Sequence, residues 1–197
     1  MSALASVARA GCNHRAHDTG RNMGLEQGLI QVYTGEGKGK TTAALGLALR
    51  AAGQGLQVHI VQFLKGRPDR GERRALQHQP NITLVAFGRP RFVNCDHPDP
   101  EDIRLAQEGV RHCLDILSEQ RYDVVILDEV NVALRCGVIS LDQVLALLDA
   151  KPPHVELVLT GRDAHPEVIE RAHLVTEMRA IKHPYEHGVA SRQGIEY

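Results

Sequence analysis

Several absences in this sequence each close off a class of function. No apolar run is long enough to span a bilayer, and the N-terminus lacks the apolar core of a secretion signal. Charge of neither sign is in excess, with 23 Lys+Arg against 24 Asp+Glu, so the basic field of a nucleic-acid surface is missing. The four cysteines, Cys12, Cys95, Cys113 and Cys136, form no CxxC pair, so zinc or iron–sulfur ligation lacks its usual spacing. They read as reduced thiols of a cytoplasmic protein. Eleven histidines scatter along the chain. His14 with His17, and His183 with His187, would share a helix face, but neither stretch reads as helix and no metal centre is expected there.

The 197 residues, 43% of them hydrophobic, suit one globular domain with a core. Residues 1–25 are rich in Ala, Ser, Gly, Asn, Arg and His without periodicity, and read as a flexible N-terminal arm. The domain then occupies 26–197. Leu29–Tyr33, Val58–Phe63, Ile82–Phe87, Val124–Leu127, Val155–Leu159 and Leu174–Met178 read as strands. Between them, Thr41–Ala52, Glu101–Glu119, Leu141–Leu148 and Pro166–Ala172 carry helical patterns. This alternation predicts a three-layer α/β fold of the P-loop NTPase (RecA-like) kind, with a mostly parallel central sheet. The continuous apolar run Val124–Leu127 suits the buried centre of such a sheet. Gly88–Pro100, with three prolines, reads as a long loop, and long loops in compact domains are often functional.

One turn carries chemistry. Thr34-Gly35-Glu36-Gly37-Lys38-Gly39-Lys40-Thr41 follows a predicted strand and opens a predicted helix. It departs from GxxxxGK[ST] only at Thr34. Gly35, Gly37 and Gly39 let backbone N–H groups approach phosphate oxygens. The helix start aims its unpaired N–H groups at the anion. Lys40 supplies an ammonium for the terminal phosphates, and the Thr41 hydroxyl is placed for Mg2+. Asp128 and Glu129, after the buried strand, supply acid for the metal directly or through water. Arg162, after another strand, and Lys65, after the second, are on the same sheet edge. Each is either a phosphate ligand or a surface cation. From the residues alone the chain is an enzyme of nucleoside triphosphates. A small-molecule kinase, an ATPase, a nucleotidyl or alkyl transferase and a nucleotide sensor all remain open.

The chain also resembles the P-loop corrinoid adenosyltransferase family over about residues 28–197. The resemblance rests on Tyr33–Ala44, Val61-Gln62-Phe63-Leu64-Lys65-Gly66, Gly71-Glu72-Arg73, Val125–Glu129, Leu159-Thr160-Gly161-Arg162, Lys182-His183-Pro184-Tyr185 and Gly194-Ile195-Glu196-Tyr197. It implies transfer of the 5′-deoxyadenosyl group of ATP to the Co(I) of a reduced corrinoid, with triphosphate released. A cytoplasmic homodimer is implied too, and a reductase supplying Co(I) is a candidate partner. Gly35, Glu36, Gly37, Lys38, Gly39, Lys40, Thr41, Thr42 and Arg162 are then the ATP-binding set. Lys40, Thr41 and Glu129 carry catalysis, and Thr41 and Glu129 hold Mg2+, with Asp128 behind water. Phe92 and Lys65 are the candidates on the corrinoid side. The chain departs from well-known members in three places. Glu36 replaces an Asn. Gly88-Arg89-Pro90-Arg91-Phe92-Val93 replaces a Phe-x-Trp pair that helps displace the lower axial ligand of cobalt. The N-terminal arm lacks a charged amphipathic helix that covers the corrinoid.

Overall fold

A computed structural model describes residues 24–67 and 69–196. Most of the N-terminal arm, with Cys12, His14 and His17, lies outside them. The core is a six-stranded sheet, parallel at every pairing, of strands β1 (Ile30–Thr34), β2 (Val58–Phe63), β3 (Ile82–Phe87), β4 (Val124–Asp128), β5 (Glu156–Thr160) and β6 (Leu174–Glu177). Their spatial order is β3-β2-β4-β5-β1-β6. The strand that feeds the glycine-rich turn is therefore separated from the strand that ends in Asp128 by β5 alone.

Strand periodicity divides the apolar residues between two layers. Val58, Ile60, Val124, Ile126 and Val158 face helices α1 (Lys40–Gly53) and α2 (Gly71–Leu76). Val61, Phe63, Val125, Leu127, Leu157 and Leu159 face α3 (Pro100–Glu119), α4 (Val130–Arg135), α5 (Leu141–Asp149) and α6 (Pro166–Arg171). Helix α1 lies close against the sheet because its buried face is made of Ala44, Ala48 and Ala51. All six residues of β2 are buried. A truncation such as Phe63→Ala would cost about 3–5 kcal/mol at a site this enclosed.

Local chemistry sets the helix ends. Asp99 caps α3 by accepting from the Glu101 N–H, with Pro100 at the first helical position. Ser140 and Gln143 form a reciprocal capping box on α5. The strands, the three longer helices and the short α6 fall where the sequence pattern puts them. Helices α2 and α4, and the 3-10 turn Pro184–His187, are short elements that the sequence pattern does not assign. His183 uses its ring nitrogen to cap the Tyr185 N–H. Among the described residues no group of three or more His, Cys, Asp or Glu side chains is arranged to hold a metal ion.

The cysteines require a correction. Cys95 and Cys136 are joined in a disulfide, 41 residues apart in sequence. The long loop after β3 folds back onto the C-terminal cap of α4, a tertiary approach that spacing cannot show. Cys113 is the free, buried thiol among the described residues, and burial pushes its pKa up.

At the far end of β2 from the glycine-rich turn, His59 is buried with an ordered set of partners. Its Nδ1 is 2.6 Å from Thr83 Oγ1 and its Nε2 is 2.9 Å from His112 Nε2. Its ring packs on Tyr122. Burial, with the neighbouring His112 and Arg121, lowers its pKa to about 4. Burial lowers that of His112 as well. The unfolded chain therefore binds more protons than the folded one between about pH 6.5 and pH 4, so stability falls as pH drops through that window. At about 1.36 kcal/mol per unit, His59 alone accounts for up to about 3 kcal/mol. Urea unfolding across this range should show that decline, and His59→Asn should flatten it. An unchanged slope in the variant would remove His59 as the cause.

Candidate nucleotide site

Four strands deliver their C-terminal ends to one place, and each ends in the same backbone device. The residue after β1 is Gly35 (φ 90°), after β2 Leu64 (φ 58°), after β4 Glu129 (φ 64°) and after β5 Gly161 (φ 133°). Each turns the chain sharply out of the sheet. Leu64 and Glu129 do so against the preference of a residue with a Cβ, at a cost of about 1–3 kcal/mol each.

The glycine-rich turn is closed from behind by the end of β6. The Gly37 N–H donates to the Met178 carbonyl at 2.5 Å, and the Met178 N–H donates to the Thr34 carbonyl at 2.8 Å. A Cβ on Gly37 would stand 2.6 Å from Met178 O, so only glycine fits. Lys40 lies across the turn, its Nζ donating to the Gly35 and Gly37 carbonyls at 2.6 and 2.7 Å. Burial, and the positive charge of Arg162, lower its pKa against the opposing pull of Glu129 and Glu36. Lys38 turns outward to the C-terminal segment, where its Nζ donates to the Ile195 carbonyl at 2.9 Å and pairs with Glu196 at 3.0 Å. The Thr42 side chain is exposed. Glu36, an acid in an anion-binding turn, meets Arg162 at 3.2 Å on the rim, so its charge is opposed locally. A cleft of about 230 Å³ opens beside it, lined by Glu36, Glu177, Arg179, Ala180 and Ile181.

Beneath the turn lies Asp128, fully enclosed and satisfied on both oxygens. Oδ1 accepts from the hydroxyls of Thr41 and Thr160, each at 2.8 Å. Oδ2 accepts from Lys65 Nζ at 2.6 Å and Gln62 Nε2 at 3.1 Å. Burial alone would push this carboxyl up. The Lys65 ammonium, with the hydrogen bonds from Thr160 and Thr41, holds it below the ordinary range. Glu129, next in sequence, donates its N–H to Thr160 Oγ1 at 3.0 Å and keeps its carboxylate partly open, 3.6 Å from Lys65 Nζ. Lys65 itself is buried and aimed at Thr41, Asp128 and Glu129, not toward the long loop. The sequence carries no signal for Thr160 as a carboxylate donor and only one for Gln62. A polar Gln inside a fully buried strand was the available signal, because such a group needs a partner.

The long loop presents Phe92, 95% exposed. Its base is pinned by Arg89, which pairs with Asp102 and, at 3.0 Å, with Asp99. Its far side is pinned by the Cys95–Cys136 disulfide. A second cleft of about 230 Å³ runs along it, lined in part by Arg91, Phe92 and His97. Two anchors therefore hold an aromatic ring out into solvent.

The Asp128 network makes a stability prediction. Asp128→Leu removes the charge that Lys65 neutralises and leaves a buried ammonium, which should lower the unfolding free energy by about 3–5 kcal/mol. Urea denaturation measures this. A loss below 1 kcal/mol would mean that Lys65 finds solvent easily and the pair is not enclosed.

The chain is similar to proteins of one enzyme family. A family model described as ATP:corrinoid adenosyltransferase BtuR/CobO/CobP matches residues 26–197. A corrinoid adenosyltransferase of Pseudomonas aeruginosa is 36% identical, with 87% of this chain and 85% of that one covered. The corrinoid adenosyltransferase CobA of Salmonella typhimurium is also 36% identical, with 87% of each covered. The KaiC-like protein PH0186 of Pyrococcus horikoshii superimposes with a TM-score of 0.52 at 17% identity, over 80% of this chain and 75% of that one, which is a likeness of fold. The α/β fold is thus of the RecA-type P-loop kind. The glycine-rich turn, the acids after β4 and the family match together decide among the enzymes of nucleoside triphosphates. The chain belongs to the ATP:corrinoid adenosyltransferase family and is a corrinoid adenosyltransferase.

Proposed function

We infer that the turn Gly35–Thr42 holds the triphosphate of ATP as a leaving group, while Co(I) of a reduced corrinoid attacks the ribose C5′. The observation that carries this reading is Lys40. Its ammonium spans the turn on two backbone carbonyls, 2.6 and 2.7 Å away, where it can exchange those weak acceptors for phosphate oxygens. Cobalt in this state is itself a strong nucleophile, so the protein has no nucleophile to supply. Its tasks are to fix C5′ before the cobalt and to stabilise charge on the departing triphosphate. Lys40 and the backbone N–H groups at the start of α1 do the second. Glu36 is held by Arg162 on the rim and meets the ribose side of the nucleotide.

Thr41 and Glu129 would hold Mg2+, with Asp128 behind them through water. The donor set suits a hard divalent cation, being a hydroxyl and carboxylates, and a cation, the Lys65 ammonium, is already placed among those oxygens. When bound, the metal would neutralise charge on the triphosphate. On the corrinoid side, Phe92 stands free in its pinned loop, as a ring that presses on a planar ligand must. The electron that makes Co(I) comes from a reductase partner in this reading. No helix among the described residues is long and apolar enough to cross a membrane. A homodimer is supported by β6, an edge strand paired with β1 alone among the described residues, whose Leu174 and Val175 are each 42% exposed.

The deciding assay mixes the protein with ATP, Mg2+ and cobalamin held as Co(I) by a strong reductant. A light-sensitive Co–C product and inorganic triphosphate are expected. ADP without alkylated corrinoid would sink the reading. Lys40→Ala should lose at least about 100-fold in rate with an unchanged melting temperature, because the partner it loses is the ligand. Phe92→Ala should lose more with complete cobalamin than with a corrinoid lacking the lower ligand. Equal losses would take Phe92 out of ligand displacement.

A further inference from the structure

Lys65 occupies an unusual position for a charged side chain. Its Nζ is 2.6 Å from Asp128 Oδ2, 3.0 Å from Thr41 Oγ1 and 3.6 Å from Glu129 Oε1. These are the oxygens that a divalent cation of this site would use. The Thr41 hydroxyl already donates to Asp128 Oδ1 and turns a lone pair toward Lys65. A metal ion held by Thr41 and Glu129 would compete for those same oxygens with the ammonium that already stands against them. Two cations at that separation repel strongly in an enclosed site.

The placement is built in from several sides. Leu64, left-handed at φ 58°, turns the chain inward and donates its N–H to the Phe87 carbonyl at 2.8 Å. Arg73 Nη2 donates to the Lys65 carbonyl at 2.7 Å. A Cβ on Gly88 would lie 2.5 Å from Lys65 N. The backbone of Lys65 is thus clamped, so the exchange requires only a change of rotamer along its four-carbon stem. The departure of the ammonium would not strand Asp128. Gln62 and Thr160 still donate to it, and Gln62 is held in turn by Arg73 Nε at 2.9 Å.

We propose that Lys65 is a tethered cation that fills the divalent-metal position of the nucleotide-free enzyme and is exchanged out of it when the metal arrives with ATP. Its effect is to keep free metal out of the empty site, so that metal and triphosphate enter together. This rests on the reading of Thr41 and Glu129 as the metal-holding pair, but not on corrinoid chemistry.

The first test uses Mn2+ alone, without nucleotide or corrinoid, and follows free Mn2+ by electron paramagnetic resonance. Lys65→Met should bind Mn2+ at least about tenfold more tightly than the wild type, a gain of about 1.4 kcal/mol. Adding Glu129→Gln to that variant should abolish the gain. Equal affinity in Lys65→Met and wild type, or a gain that survives Glu129→Gln, overturns the proposal. The second test needs no variant and holds if Lys65→Met does not fold. In protein labelled with 15N-lysine, the Lys65 ammonium should give a slowly exchanging signal without ligand. Mg2+ alone should leave it in place, and Mg2+ with ATP should remove or shift it. A Lys65 signal unchanged at saturating Mg2+ and ATP overturns the exchange. Formation of the Co–C product by the wild type is scored separately, so a failure of the adenosyltransferase reading is distinguishable from a failure of Lys65 exchange.

Discussion

The site depends on one buried carboxylate. Asp128 is removed from water, and a charge in that position is tolerated only when paired and fully hydrogen-bonded. Its four donors come from four separate segments: Thr41 at the start of α1, Gln62 in β2, Lys65 just beyond β2, and Thr160 at the end of β5. Satisfying it brings the phosphate-binding turn, the acid strand and the strand between them into fixed register. Thr160 carries the coupling further, because the hydroxyl that donates to Asp128 also accepts the Glu129 N–H. The open acid is thereby oriented by the closed one.

The four left-handed residues after β1, β2, β4 and β5 complete the same arrangement. A parallel sheet ends in a row of strand termini, and a ligand site there needs each chain to turn away within one residue. Glycine does this at positions 35 and 161 at little cost. At 64 and 129 the chain uses Leu and Glu. The strain at Glu129 keeps a carboxylate beside the turn, where glycine would leave none, and the strain at Leu64 directs Lys65 inward. Local stability is given up where side chains have work to do.

Much of this was legible in the sequence. The strand–turn–helix run from Leu29 through Thr41, the apolar run ending in Asp128 and the alternation of elements are local patterns, and each appears in the structure where the pattern puts it. What was not legible depends on residues meeting across the fold. Glu36 stands in the sequence as an acid in an anion-binding turn, and its partner Arg162 lies more than a hundred residues later. The thiols of Cys95 and Cys136 looked independent because the loop return that joins them is tertiary. Lys65 read as either a phosphate ligand or a surface cation because nothing local reveals a left-handed Leu64. Helices α2 and α4 have six residues each, so periodicity had little to work on, whereas the equally short α6 opens on Pro166, a helix-start signal.

The strand order has a consequence for how the molecule is made. Strand β1 enters the sheet early in the sequence, yet its neighbours on both sides are β5 and β6. The turn that follows is backed by Met178, and Lys38 reaches across 157 residues to the Ile195 carbonyl. The earliest functional motif is therefore completed by the last part of the chain. During synthesis the glycine-rich segment leaves the ribosome long before the strands that shape it, so a nascent chain carries the motif without the finished cradle. Nucleotide binding then reports a completely translated and assembled sheet.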